Sequence, residues 1–234
     1  QRQMCIRDRS RDDLLTINSN IVRSVTEQFV AGSPDAILII VSNPLDVMTY
    51  VAYMTSGFPS QRVMGMAGVL DTARFRAFLA MKLNVSVRDI QTLLMGGHGD
   101  TMVPLPRFTT VGGIPVTDLI DDDDLEAIVA RTKTGGGEIV KLMGTSAWYA
   151  PGAAAAEMAE AIVKDSGRVL PAAAWLSGQY GLSDMFIGVP VRLGREGIKE
   201  VVEVGLNAGE KALLDASAEH VRTNLEALSR LQNA

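Results

Sequence analysis

One run of six apolar residues, 36–41, constrains the fold more than any other segment of this chain. Its sequence is AILIIV, which is rich in β-branched side chains and shows no alternation of polar and apolar residues. Such a run predicts a strand covered on both faces, as in a parallel sheet. Residues 11–30 before it have helical periodicity, and Pro44 after it suits the first turn of a second helix. Helix, strand and helix in this order predict an α/β fold.

The helix predicted over residues 11–30 is amphipathic. Its apolar side chains recur every three to four positions, and an acidic pair stands in its first turn. We therefore expect these side chains to share one face of the helix. They are Leu14, Ile17, Ile21, Val25 and Phe29.

The later part of the chain mixes helices and strands. A hairpin is predicted around Gly112 and Gly113, and a second glycine cluster at 135–137 interrupts a predicted helix. We place the boundary between the early α/β part and the later α+β part at residues 67 and 68. The other predicted helices cover residues 74–83, 124–142, 146–166 and 206–232, and the other predicted strands cover 90–95, 169–176 and 185–193.

Composition and charge exclude several classes of protein. The chain has 234 residues, 47% of them hydrophobic, and a formal net charge of −5, which argues against general nucleic-acid binding. Its longest apolar run is far shorter than the roughly 20 residues of a membrane-spanning helix. With Cys5 as the single cysteine and no secretory signal in the first ten residues, we expect no disulfide and a cytoplasmic location.

His98 is the strongest candidate for chemistry. It follows a predicted strand in the segment GGHGD, where three glycines indicate a loop that lies close to another group. Ligands of α/β proteins collect at the carboxyl ends of strands, where Asn43 also falls. The other histidine, His220, lies beside the apolar stripe of the final helix, and we assign it a structural or surface role.

Two further charged features have alternative interpretations. Asp71 and Arg74 can project from one end of the same helix, and a structural salt bridge is the simpler interpretation. In the other interpretation, Asp71 orients an imidazole and Arg74 binds a substrate carboxylate through two parallel hydrogen bonds. The four carboxylates at 121–124 indicate a solvated helix N-terminus, and we expect no metal site.

Three motifs follow one another along the chain. They are VSNP at residues 41–44, LDTARFR at 70–76 and GGHGDTMVP at 96–104. Their order and separations resemble those of the lactate/malate dehydrogenase family, from about residue 10 to the C-terminus. The resemblance implies a partial Rossmann-type parallel-sheet domain over residues 1–67, followed by an α+β substrate and catalytic domain over 68–234.

The resemblance also implies a reaction. Members of the family use NAD to interconvert a 2-hydroxy acid and a 2-oxo acid. Gly97 stands where lactate enzymes more usually carry Glu, so malate is the first expected substrate, and lactate or another 2-hydroxy acid is the alternative. Family members are dimers or tetramers, so a homodimer or homotetramer is expected.

Catalytic and substrate-binding roles carry over from the resemblance. His98 is the expected acid/base, and Asp71 is expected to stabilise its imidazolium form. Arg74 would bind the carboxylate beside the reacting carbon. Arg11 matches a mobile-loop arginine that stabilises negative charge on the substrate oxygen in the transition state. Asn43 resembles a residue that bonds a substrate oxygen.

The cofactor-binding residues expected from the resemblance lie in three segments. Val41, Ser42 and Asn43 would line the nicotinamide side of NAD. Asn18 matches another cofactor contact, and Ser146 is expected near the nicotinamide.

Two features depart from the family pattern. The 234 residues contain no Gly-x-Gly-x-x-Gly turn for a pyrophosphate, and we expect that the first βαβ unit of the domain has been lost. Cys5 stands where malate enzymes carry an arginine for the distal carboxylate. Residues 1–9 do not resemble the family, and we interpret them as foreign to the gene. A non-catalytic fragment therefore remains a third hypothesis.

Overall fold

The computed structural model describes residues 11–232, with side chains for residues 14–231. The expectations about residues 1–9 and Cys5 fall outside this range, and so does the side chain of Arg11. The helices are α1 (Arg11–Gly32), α2 (Leu45–Ser56), α3 (Gly68–Leu83), α4 (Asp122–Met143), α5 (Tyr149–Val163) and α6 (Ala208–Gln232). The strands are β1 (Leu38–Ile40), β2 (Val63–Gly65), β3 (Ile90–Gln91), β4 (Leu94–Met95), β5 (Val103–Pro104), β6 (Thr110–Val111), β7 (Ile114–Pro115), β8 (Val169–Ser177), β9 (Ser183–Gly194) and β10 (Gly197–Val201).

A five-stranded mixed sheet forms the centre of the fold, with its strands in the order β1-β2-β8-β9-β10. β1 and β2 run parallel, whereas β8 pairs antiparallel with both β2 and β9. Gly65 of β2 is paired with Ala173 of β8, so one sheet joins the early and late parts of the chain. This mixture of parallel and antiparallel strands with helices confirms the predicted α/β and α+β fold class.

Helices cover the sheet and form three apolar cores. One core lies between the sheet, α5 and α6, and a second lies between the sheet, α1 and α2. In the second core the rings of Tyr53, Trp175 and Phe186 have centroids 5.0–5.5 Å apart, which ties α2 to β8 and β9. The third core joins α3, α4 and the short strands between them. Within the described range, no helix is long and apolar enough to cross a membrane.

Several local predictions are confirmed. β6 and β7 form the predicted hairpin, and Gly112 and Gly113 have φ values of 57° and 87°. Both angles are left-handed, which a two-residue hairpin turn of this kind requires and glycine adopts without strain. Asp121 caps α4, where its side chain accepts a hydrogen bond of 2.9 Å from the backbone N–H of Asp124. In the predicted apolar stripe of α6, Leu225 is partly buried and the other members are buried, namely Leu214, Ala218, Val221 and Leu228.

The predicted amphipathic helix α1 is confirmed, but the apolar face named from the sequence is not the face that packs within the chain. The side chains of Ile21 and Val25 are 46% and 61% exposed, and the buried positions are Leu15, Ser19, Val22 and Thr26. The reason is that α1 has apolar residues on more than one face. Contact with α2 and α6 selects the face that also contains the small polar residues.

Three other details differ from the sequence predictions. β1 is only partly buried, because it lies at the edge of the sheet rather than between two strands. The strand predicted over residues 90–95 is divided into β3 and β4, since β3 pairs with β6 and β4 with β5. The glycines at 135–137 do not interrupt their helix, because α4 continues through them.

Candidate active site

The backbone places His98 at the end of β4, directly against the central sheet. Gly96 exchanges two backbone hydrogen bonds with Gly188 of β9, of 2.8 and 3.0 Å. The N–H of Gly97 then donates to the Oγ of Ser217 on α6 at 2.8 Å. His98 is therefore presented by a loop whose backbone is bonded to both β9 and α6, and this agrees with the close approach that its glycine content predicted.

Asp71 supports the imidazole of His98 from the first turn of α3. Its Oδ2 lies 2.8 Å from the His98 Nδ1, and the Asp71 side chain is 3% exposed. A carboxylate accepts, so this contact puts a proton on Nδ1 and leaves Nε2 for a reactant. α3 begins three residues after β2, which places the Asp71 carboxylate at the positive end of the helix dipole.

Arg74 lies one helical turn after Asp71 and contacts the same carboxylate. Its Nη1 is 3.3 Å from Asp71 Oδ1 and donates to the carbonyl oxygen of Thr132 on α4 at 3.4 Å. The Arg74 side chain passes directly over Gly135. A Cβ added there would overlap Cδ of Arg74 and lie 2.9 Å from its Nε, so only glycine leaves room for this path.

Charges around His98 favour its protonated form. Burial alone would lower the pKa of His98, because it penalises the charged imidazolium. The hydrogen bond to Asp71 and the negative charges of Asp71 and Asp46 outweigh burial and the positive charge of Arg74, and they raise the pKa above its usual 6.5. The imidazole therefore holds a proton more strongly than an ordinary histidine does.

Asp46 is a second buried carboxylate beside His98, and it belongs to the first turn of α2. Its Oδ2 accepts a hydrogen bond of 3.1 Å from the backbone N–H of His98. Burial raises the pKa of Asp46 to about 6, although the hydrogen bond from His98 and the charge of its imidazolium act in the opposite direction. The carboxylate is thus in a chemically unusual environment.

The predicted cofactor side lies at the carboxyl end of β1. Asn18 donates from Nδ2 to the carbonyl oxygen of Asn43 at 2.7 Å, which brings two of the predicted residues together. Val41 and Asn43 are exposed here and Ser42 is half-buried. Ser146 is exposed in the connection between α4 and α5, and it takes no part in the hydrogen bonds around His98.

Sequence reasoning did not single out Asp46 or Thr132 for the site. An acidic residue in the first turn of a helix is common, and a backbone carbonyl leaves no trace in a sequence, so neither gave a signal. Gly135 did give one, because glycines inside a helical pattern often mark a close approach.

Fold and site together define an α/β enzyme in which a loop histidine is held by a buried carboxylate. A model of the lactate/malate dehydrogenase NAD binding domain matches residues 7–65, and a model of the family's alpha/beta C-terminal domain matches residues 68–231. The chain belongs to the lactate/malate dehydrogenase family.

Curated relatives and solved structures agree with this assignment. A malate dehydrogenase of Salinibacter ruber is 70% identical over 96% of this chain and 71% of its own length, and its solved structure has a TM-score of 0.94. A malate dehydrogenase of Cytophaga hutchinsonii is 60% identical over 95% of this chain and 71% of its own length. A Plasmodium falciparum malate dehydrogenase in complex with NADH is 35% identical with a TM-score of 0.89, over 92% of this chain and 72% of its own.

Proposed function

We propose that this protein catalyses the NAD-dependent interconversion of malate and oxaloacetate. The observation that carries the proposal is the Asp71 carboxylate, which lies 2.8 Å from His98 and 3.3 Å from Arg74. One carboxylate thus orients both a proton-transferring group and a carboxylate-binding group. The relatives named malate dehydrogenase support the substrate, and the neighbour solved with NADH supports the cofactor.

His98 is the proposed acid/base. In malate oxidation its neutral imidazole accepts the hydroxyl proton at Nε2, because Nδ1 is engaged with Asp71. Asp71 stabilises the imidazolium that results, and in oxaloacetate reduction the same proton returns to the substrate oxygen. The chemistry that NAD supplies when bound is acceptance of the hydride from the carbon that carries the hydroxyl.

Arginines and an asparagine complete the proposed substrate site. Arg74 binds the carboxylate beside the reacting carbon, and its hydrogen bonds to Asp71 and Thr132 both use Nη1. A planar guanidinium can then offer its other N–H groups to two carboxylate oxygens in parallel. Arg11 stabilises negative charge on the substrate oxygen, and Asn43 bonds a substrate oxygen.

The carboxyl end of β1 fits the nicotinamide side of the cofactor. Val41 offers an exposed apolar side chain for a ring, and Ser42 and Asn43 offer polar groups next to it. Asn18 fixes the Asn43 carbonyl, and Ser146 approaches from the α4–α5 connection in this proposal. Ligands of open α/β sheets bind at such strand ends.

We also propose how the chain is divided, how it assembles and where it is located. Residues 1–67 form the cofactor part, and residues 68–234 form the substrate and catalytic part. We propose a homodimer or homotetramer in the cytoplasm, which is supported by exposed apolar side chains such as Ile21, Val25 and Phe29 and by a single cysteine in the sequence. Sedimentation of the purified protein would reveal a monomer if the assembly is wrong.

A comparison of two 2-oxo acids tests the substrate. The purified protein is assayed for NADH oxidation with oxaloacetate and with pyruvate. We expect kcat/KM for oxaloacetate to be higher on the order of 100-fold or more, since an enzyme that pairs the second carboxylate of oxaloacetate would leave its binding groups unpaired with pyruvate. Equal or better use of pyruvate would contradict malate as substrate and favour the lactate alternative.

A further inference from the structure

The Asp46 carboxylate is buried next to the proposed acid/base, and the mechanism above does not use it. The residue is 8% exposed, and its Oδ2 accepts the His98 N–H at 3.1 Å. Its Oδ1 is buried without a hydrogen-bond partner among the described residues. A buried carboxylate with an unsatisfied oxygen is unfavourable for folding. Its presence therefore calls for a reason other than stability.

The surroundings of Asp46 fix the loop that carries His98. The N–H of Gly97 donates to Ser217 on α6, and the next N–H along the chain, that of His98, donates to Asp46 on α2. A Cβ on Gly97 would lie 3.2 Å from Asp46 Oδ2 and 3.0 Å from the Oγ1 of Thr101, so the loop approaches the carboxylate closely. Two consecutive backbone groups are thus held by two different helices.

This contact also crosses between the two matched parts of the chain. Asp46 lies within the residues matched by the NAD-binding domain, and His98 lies within those matched by the C-terminal domain. Asp46 follows Asn43 by three residues, so the turn that lines the proposed cofactor side continues into the helix that holds the His98 backbone. The arrangement relates the position of the acid/base to the position of the cofactor side.

The charge of Asp46 acts on His98 as well. The groups that act on Asp46 electrostatically are His98, from the loop, and Asp71, from α3. α6 presents the uncharged Ser217 and Val221 beside Gly97. On His98, the negative charge of Asp46 acts in the same direction as that of Asp71 and against the positive charge of Arg74.

We propose that Asp46 is a positioning residue that fixes the backbone of His98 and whose negative charge stabilises the imidazolium. The inference rests on the acid/base role proposed for His98. Its two components are separable, because asparagine retains an oxygen that accepts the His98 N–H but carries no charge. Alanine removes both the acceptor and the charge.

Asp46→Asn tests the charge through the pH profile of the reaction. Oxaloacetate reduction needs protonated His98, so its rate falls as pH rises through the His98 pKa. Removal of the negative charge lowers that pKa, and we expect this fall to move to lower pH by about 0.5 to 1 unit. The acidic limb of malate oxidation should move in the same direction. Profiles identical to those of the unmodified enzyme would overturn the charge component.

Asp46→Ala tests whether Asp46 fixes the position of the His98 backbone. We expect kcat to fall on the order of 10-fold to 100-fold below that of Asp46→Asn, because the loop loses its acceptor and the imidazole moves. Equal kcat in the two variants would overturn the positioning component. If the alanine variant does not fold, the profile of Asp46→Asn still decides whether the charge acts.

Asp35→Asn is the matched control, because its side chain is 98% exposed and it lies in the connection before β1. Asp35→Asn should retain the pH profile of the unmodified enzyme. A shifted pH profile in this control would overturn the claim that the effect is specific to Asp46. His98→Asn is measured in parallel. If that variant keeps full turnover, the acid/base proposal itself fails, and with it the inference. If it is inactive while Asp46→Asn and Asp46→Ala behave like the unmodified enzyme, only the inference fails.

Discussion

At the scale of single residues, one carboxylate organises the site. Asp71 is buried and divides its two oxygens between the imidazole of His98 and the guanidinium of Arg74. The two interpretations of the sequence are compatible, because the Asp71–Arg74 ion pair and the contact of Asp71 with an imidazole coexist in one structure. Because Arg74 and His98 share Asp71, loss of this carboxylate would disturb both the proposed acid/base and the proposed substrate-binding arginine.

Asp46 leads to a stability prediction at the same scale. Its pKa of about 6 in the folded protein lies above its ordinary value of 3.8, so the folded state favours the protonated carboxyl. This contribution to stability is complete below about pH 4 and is lost as pH rises through 6. Asparagine does not ionise, so the Asp46→Asn variant does not lose this stability as pH rises. We expect its free energy of unfolding to exceed that of the unmodified protein by about 1 to 3 kcal/mol at pH 8.

Denaturant unfolding at pH 5 and pH 8 checks this prediction. The advantage of Asp46→Asn should shrink at pH 5, since the native carboxyl is then largely protonated. A variant that is less stable than the unmodified protein at pH 8 would contradict it. Greater stability together with an altered pH profile would show a residue retained for function at the expense of stability.

At the scale of elements, the glycines of α4 show how a helix can serve a side chain on its neighbour. Gly135 is buried under Arg74, whereas a Cβ on Gly137 would meet nothing within 4 Å. Gly135→Ala should displace the guanidinium and raise KM for oxaloacetate about 10-fold to 100-fold, as expected for a lost charged hydrogen bond. Gly137→Ala should leave KM unchanged and stabilise the helix by about 0.5 to 1 kcal/mol.

Steady-state kinetics and thermal unfolding of the two variants form a matched pair, because both make the same change in one helix. If Gly135→Ala has the KM of the unmodified enzyme, then the position of Arg74 does not depend on this glycine. An increase in KM for both variants would instead point to a general effect of helix rigidity.

The elements also show what sequence periodicity can and cannot predict. Helical spacing correctly predicts α1, but Ile21 and Val25 are exposed, because the choice between two apolar faces depends on neighbours that are distant in the chain. The GGHGD segment correctly indicates a loop held close to other groups. Contacts such as that between Asp46 and His98 join residues 52 positions apart, and no local pattern encodes them.

At the scale of the whole molecule, one mixed sheet brings the motifs together. β1 and β2 belong to this sheet, and the chain that follows them leads to Asn43 and to Asp71 on α3. His98 follows β4, which pairs with β5 and is joined to β9 through Gly96 and Gly188. The order and spacing of three motifs were sufficient to predict the family and its reaction. The motifs did not predict that one sheet contains strands from both parts of the chain, because the pairing between β2 and β8 depends on tertiary structure.

We propose that His98 transfers the proton, while Asp71 orients the imidazole and Arg74 orients the substrate. One measurement tests this proposal most directly. It is kcat for oxaloacetate reduction by the His98→Asn variant, with circular dichroism to confirm the fold. We predict a decrease on the order of 10²-fold to 10⁴-fold, which is typical of the loss of a general acid. A folded His98→Asn variant with the kcat of the unmodified enzyme would contradict the claim.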